Sequence, residues 1–131
     1  MRFALPFAVL ALAACTVETP GTPPPVAEGP GTWRLVSLNG ALPESAVTLR
    51  IDGARIEGQG PCNRYFAPVQ AGGAGLFRPG PVGATKMACD GLAEEARYFD
   101  ALSRVTRIDR TGVQMRLTGP GVRLDYAMPM N

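Results

Sequence analysis

The spacing of apolar and polar residues changes several times along the chain, and each change marks off a segment. Met1-Arg2 gives a positive start, and Phe3 to Ala14 is a twelve-residue stretch broken only by Pro6. A helix needs about 20 residues to cross roughly 30 Å of hydrocarbon. This stretch is therefore too short to span, and it has the layout of a cleaved export signal over residues 1–14. From Thr16 to Pro30 the pattern disappears. Five of these fifteen residues are proline and none is aromatic. Such a stretch cannot bury enough surface to offset the entropy of ordering it. Residues 15–30 are expected to form a spacer with polyproline II bias, reaching roughly 45 Å at about 3.1 Å per residue.

Gly31 to Asn131 reads mostly as strands. Trp33, Leu35 and Val36 lie in an apolar run, Thr32 to Leu38, closed by Asn39-Gly40. Val47, Leu49 and Ile51 alternate with Thr48, Arg50 and Asp52, the period of a half-buried strand. Asp52-Gly53 suits a type I′ hairpin turn, and Arg55 to Gly58 returns. Weaker strands are expected over Arg64 to Gln70 and Leu76 to Val82, split by Gly72-Gly73-Ala74-Gly75. Val105 to Arg110, then Val113, Met115 and Leu117, then Val122, Leu124, Tyr126 and Met128, form a three-stranded meander around good turn residues.

One segment has a different period. Leu92, Ala96, Phe99 and Leu102 fall on one helical face, with Glu94, Glu95, Arg97, Asp100 and Ser103 mostly on the other. A helix is expected over Gly91 to Ser103, with Asp90 as N-cap and Glu94 and Glu95 near its positive end. The expected class is α+β, mostly β: a curled antiparallel sheet or partly open barrel of about seven or eight short strands with one helix covering an opening. Trp33 is expected in the core, and Met87, Met115, Met128 and Met130 in packing roles.

Composition narrows the chemistry. The 131 residues include no histidine, and 13 basic against 11 acidic residues leave a formal charge of +2. Histidine-dependent nucleophile pairs and His-ligated zinc are excluded. Near-neutral charge gives no support for nucleic-acid binding. Asp90, Glu94 and Glu95 are explained by a helix start, so no catalytic group, metal site or cofactor is expected.

Three cysteines organise the rest. Leu12-Ala13-Ala14-Cys15 is the lipobox of bacterial lipoproteins, in which small residues precede the cut and the Cys15 thiol takes a diacylglyceryl group. The mature chain would then start at an acylated Cys15, and two acyl chains suffice for stable membrane attachment. Thr16, rather than aspartate, follows it, which by resemblance to that class favours the outer membrane, facing the periplasm. Cys62 and Cys89 remain, an even count on the oxidising side of a membrane, and a disulfide between them is expected. The alternatives are two buried free thiols or a reactive pair.

Gly31-x-Trp33-x-Leu35, Cys62-Asn63-Arg64-Tyr65 and Thr85-Lys86-Met87-Ala88-Cys89 stand in order, the last before the helix carrying Glu94, Glu95, Phe99 and Leu102. In these motifs residues 31–131 resemble the META domain family, that of the heat-shock lipoprotein HslJ. Pro61 departs from the small or apolar residue many relatives carry there. The resemblance implies a small, mostly β domain, usually secreted or lipid-anchored. It also implies association with heat-shock and envelope stress or drug tolerance, and no established enzymatic activity.

A Cys62–Cys89 bridge would gather Asn63, Arg64, Tyr65, Thr85 and Lys86. These form a candidate binding patch, with Arg64 and Lys86 as cations for an anionic ligand and Tyr65 as an apolar face. The same residues also suit a polar turn beside a disulfide. The leading functional expectation is a non-catalytic binding or structural protein anchored to the envelope membrane, with an envelope protein as partner. Its rival is an inhibitor of an envelope protease acting through the Gly72 to Pro81 loop.

Overall fold

The computed structural model describes residues 31–129, and the signal, the lipobox with Cys15 and the spacer lie outside them. Nine strands and one helix follow in order: β1 Thr32–Leu38, β2 Thr48–Asp52, β3 Arg55–Gln59, β4 Arg64–Ala71, β5 Phe77–Pro79, β6 Gly83–Ala84, α1 Leu92–Ser103, β7 Arg107–Thr111, β8 Gln114–Gly119 and β9 Val122–Ala127. The strands pair antiparallel in the order β5-β4-β3-β2-β1-β9-β8-β7, with β6 beside β4. A bridge between Leu76 and Arg107, and a bond from the Phe77 N–H to the Thr106 carbonyl (3.0 Å), bring the two ends of this order together. The result is a nearly closed antiparallel barrel.

Alternation explains the wall. Trp33 and Leu35 of β1, Leu49 of β2 and Ile56 of β3 point inward, as do Tyr65, Ala67 and Val69 of β4. Met115, Leu117, Leu124 and Tyr126 of the meander complete the ring, and polar neighbours face out. Of the expected strand over Leu76 to Val82 only β5 forms, because Gly80-Pro81 interrupts the ladder; β6 lies just beyond it and pairs with a different stretch of β4.

The turns sort differently from the expectation. Asn39 and Gly40 both have positive φ (51° and 85°), and Leu38 and Ala41 exchange both backbone bonds across them, as a type I′ hairpin requires. Between β2 and β3 the two-residue loop is Gly53-Ala54, not Asp52-Gly53, and only Gly53 has positive φ. That turn is not type I′.

Helix α1 starts one residue later than expected and is rotated. Its buried residues are Glu95, Tyr98, Ala101 and Leu102, while Leu92 and Ala96 are exposed. The buried stripe is Glu95, Tyr98 and Leu102, at positions i, i+3 and i+7. Counting only apolar residues misassigns the face, because one of its members is a glutamate. Gly91 is the N-cap and no side chain caps the helix, so Asp90 does not have the expected role. Met115 is buried and Met128 packs against the core, as expected, whereas Met87 is exposed.

Candidate functional site

The structure joins Cys62 and Cys89, with Cα atoms 5.8 Å apart. The turn before β4 is thereby tied to the strap, residues 85–91, that leads into α1. Two residues pin this junction from within. The Glu95 Oε2 accepts from the backbone N–H groups of Cys62 (2.8 Å) and Asn63 (2.7 Å), and its Oε1 accepts from Asn63 Nδ2 (2.7 Å). The Asn63 Oδ1 in turn accepts from the Thr85 hydroxyl (2.9 Å) and the Met87 N–H (2.7 Å), and Nδ2 also reaches the Met87 carbonyl (3.2 Å). One amide side chain therefore ties β4, the strap and the helix together.

The charge on Glu95 suits that role. Burial pushes its carboxyl up, and the hydrogen bonds from the Asn63 side chain, the Asn63 N–H and the Cys62 N–H outweigh it. The carboxyl is held below the ordinary glutamate range, so Glu95 is an acceptor-only anion at neutral pH. Glu94 faces the other way and holds the loop between β1 and β2, accepting from the N–H groups of Glu44 and Ser45 and from the Ser45 hydroxyl.

Under this junction lies a line of phenols. The Tyr65 hydroxyl donates to the Thr48 carbonyl (2.7 Å), so it accepts from Tyr98 (2.7 Å), and Tyr98 accepts from Tyr126 (2.9 Å). These are the chain's three tyrosines, all buried, one each on β4, α1 and β9. Tyr98 thus links opposite walls of the barrel to the helix. Burial raises all three phenols above their ordinary range, and they stay neutral. Gly58 is required beside them: a Cβ there would lie 2.0 Å from the Thr48 carbonyl oxygen and 2.9 Å from the Tyr65 hydroxyl.

The five patch residues separate into two groups. Asn63 and Tyr65 are buried, and the Thr85 hydroxyl is engaged with Asn63 and with the Arg64 N–H (3.2 Å). Arg64 and Lys86 point to solvent on the outer face. Tyr65 does not present an aromatic face there; the exposed aromatic is its neighbour Phe66, with the Arg55 guanidinium 5.0 Å above the ring. Neither the role of Glu95 nor the phenol line is foreseen from the sequence. The available signal was the Tyr98, Ala101, Leu102 and Val105 stripe, which places Glu95 one turn earlier on the same face.

Elsewhere, Gly72 to Pro81 is not a projecting loop. Phe77 and Pro79 are buried in the wall, Arg78 and Pro81 face outward, and the exposed turn at Gly72–Ala74 is held to β7 by a bond from Arg107 to the Ala74 carbonyl (3.1 Å). On the far wall Asp125 accepts from Arg116 (2.6 Å), Arg123 (2.8 Å) and Ser37 (3.1 Å). Burial raises its carboxyl, but these bonds win and hold it below the ordinary aspartate range. Among the described residues no group of three or more Cys, Asp or Glu side chains is placed to hold a metal ion, and no helix is long and apolar enough to cross a membrane.

The order of strands, the single helix and the Cys62-Asn63 and Cys89 junction can now be set beside known proteins. The META domain profile matches residues 27–130. The chain belongs to the META domain family. A protein from Burkholderia xenovorans solved by NMR superposes with a TM-score of 0.61 at 22% identity, covering 77% of this chain and 83% of that one. A second NMR structure superposes with a TM-score of 0.59 at 19% identity, covering 75% of this chain and 88% of its own. At these identities the likeness concerns the fold. No curated protein is significantly similar to the chain. META domains are not a known enzyme family, and the barrel interior here is filled by the apolar core and the three phenols.

Proposed function

We propose that this META-domain protein is exported, acylated on Cys15 and held at the cell envelope, where it binds or braces rather than catalyses. The observation that carries the reading is the sequence Leu12-Ala13-Ala14-Cys15, in register with a short apolar signal and followed by a proline-rich spacer. The Cys62–Cys89 bridge supports it, since disulfides persist on the oxidising side of a membrane. Thr16 after the acylated cysteine favours the outer membrane, and the family resemblance links the protein to envelope stress. Its polar groups near the junction are spent on one another, which suits a rigid scaffold whose outer surface meets a partner.

Labelling cells with a palmitate analogue tests the anchor. The wild-type protein is expected to carry the label, and Cys15→Ser to carry none and to accumulate unprocessed. A labelled Cys15→Ser protein, or a wild-type protein recovered unlabelled from the cytosol, overturns the reading. Crosslinking in heat-stressed cells, with identification of what the wild type captures, then tests the bracing role.

A further inference from the structure

Six large apolar side chains are exposed among the described residues, and three of them lie on one face: Phe66 (49%), Met87 (66%) and Leu92 (44%). Large exposed apolar groups gathered on one face mark contact surfaces more often than scattered ones do. Phe66 points outward from β4, where its ring covers Gly83 of β6; a Cβ on Gly83 would come within 2.6 Å of that ring. Met87 stands on the strap and Leu92 opens α1. Val82 and Phe99, partly buried, fill the ground between Met87 and Leu92. The face is shallow, with two open concavities of about 450 and 530 Å³ that meet at Thr85.

Cations ring these apolar tips. Arg64 lies two residues before Phe66 on the same outer side of β4, Lys86 precedes Met87, and the Arg55 guanidinium rests on the Phe66 ring. Glu57 and Asp52 stand opposite Arg50 and Arg55 in the β2–β3 register, Glu95 is buried and bonded, and Asp90 lies at the far end of the strap. Arg64 stands opposite Gln59 and Lys86 lies on the strap, so these two cations have no carboxylate across from them.

We infer that this face docks on an anionic lipid bilayer surface. Apolar tips without a deep pocket suit the shallow boundary between headgroups and acyl chains. Long basic side chains beside them can lie along that boundary and reach anionic headgroups. The choice of a bilayer over another anionic surface rests on the lipid-anchor reading, because the anchor holds the domain near such a surface at high effective concentration. The docked face would turn the Asp125 wall away from the membrane.

The test uses the chain from Thr16 onward, which keeps every described residue and carries no acyl group. It is sedimented with phosphatidylcholine vesicles with and without phosphatidylglycerol. Binding is expected only to the anionic vesicles, weakening as salt rises. Arg64→Ala with Lys86→Ala should lower affinity about 25-fold, at roughly fivefold per cation. Met87→Ser should lower it while leaving the salt dependence unchanged, and Arg123→Ala, on β9, should leave it unaltered. Each variant is first shown to melt as the parent does. No binding, equal binding to neutral vesicles, or an equal loss from Arg123→Ala overturns the proposal, as does an Arg64/Lys86 variant that binds like the parent. Failure here leaves acylation of Cys15 untouched, and an unlabelled Cys15 leaves the vesicle result untouched, so the two readings fail separately.

Discussion

The meander β7–β9 and the junction around Cys62, Asn63, Cys89 and Glu95 are built on different principles. In the meander every strand pairs with its sequence neighbour, alternation decides which side chains point in, and short turns set the register. The junction has almost no regular pairing of its own. Its order comes from one disulfide and from side-chain bonds of Asn63 and Glu95 between residues 22 to 33 positions apart. A local pattern can specify the first kind of structure but not the second, because the partners of a buried polar group are chosen by the whole fold.

Breaking each region should therefore look different. The largest effects come from the covalent tie and from core truncation. Replacing both Cys62 and Cys89 by alanine should cost about 3–4 kcal/mol, from the 27-residue separation they close. Leu124→Ala in the meander should cost about 2–5 kcal/mol by leaving a cavity at a fully buried site. Denaturant unfolding with and without a reducing agent separates the two: reductant should destabilise the wild type and Leu124→Ala equally and leave the cysteine variant unchanged.

Next in size is Glu95→Gln, expected to cost about 1–3 kcal/mol at neutral pH, because it turns a charged acceptor of three bonds into a weaker one. Its pH profile sharpens the comparison. The folded carboxyl titrates below its unfolded value of about 4.3, so its contribution is complete above that pH and is lost as pH falls through the folded value. Melting curves across the acid range should show the gap between wild type and Glu95→Gln closing as pH drops. A gap that stayed constant would mean that Glu95 acts by shape and not by charge. Asp125 has the same sign of shift, so Asp125→Asn should show a similar closing gap from the meander side.

Much of the wall was legible. β1, the β2–β3 hairpin and the meander follow from alternation at Trp33, Leu35, Leu49, Ile56, Leu117 and Leu124. The cysteine pairing was legible from parity together with the expected oxidising compartment. What was not legible lies almost wholly at the junction. An apolar-only reading of α1 chose Leu92 and Ala96, because nothing local distinguishes a glutamate bonded by two distant backbone N–H groups from one facing water. Tyr65 read as a surface aromatic for the same reason: its hydroxyl partners lie on two other elements.

The smaller effects test these partners one by one. Tyr98→Phe removes the middle hydroxyl of the phenol line and should cost about 1–2 kcal/mol, since Tyr126 loses its acceptor in a buried place. Arg123→Ala, at a largely exposed pair, should cost less than about 1 kcal/mol, and Asp125 keeps Arg116 and Ser37. Chemical denaturation resolves both. A Tyr98→Phe protein as stable as the parent would mean that the line is filler.

The contact between Leu76 and Arg107 is the weakest stitch in the cylinder: one bridge and one flanking bond, where every other neighbouring pair shares a ladder. Breathing should start at this seam, and amide hydrogens of Leu76 and Phe77 should exchange with solvent well before those of β8 and β9. Because the seam is so slight, most of β7 has no strand partner on that side, and its charged residues Arg107, Asp109 and Arg110 guard this margin against strand-by-strand association between molecules crowded side by side.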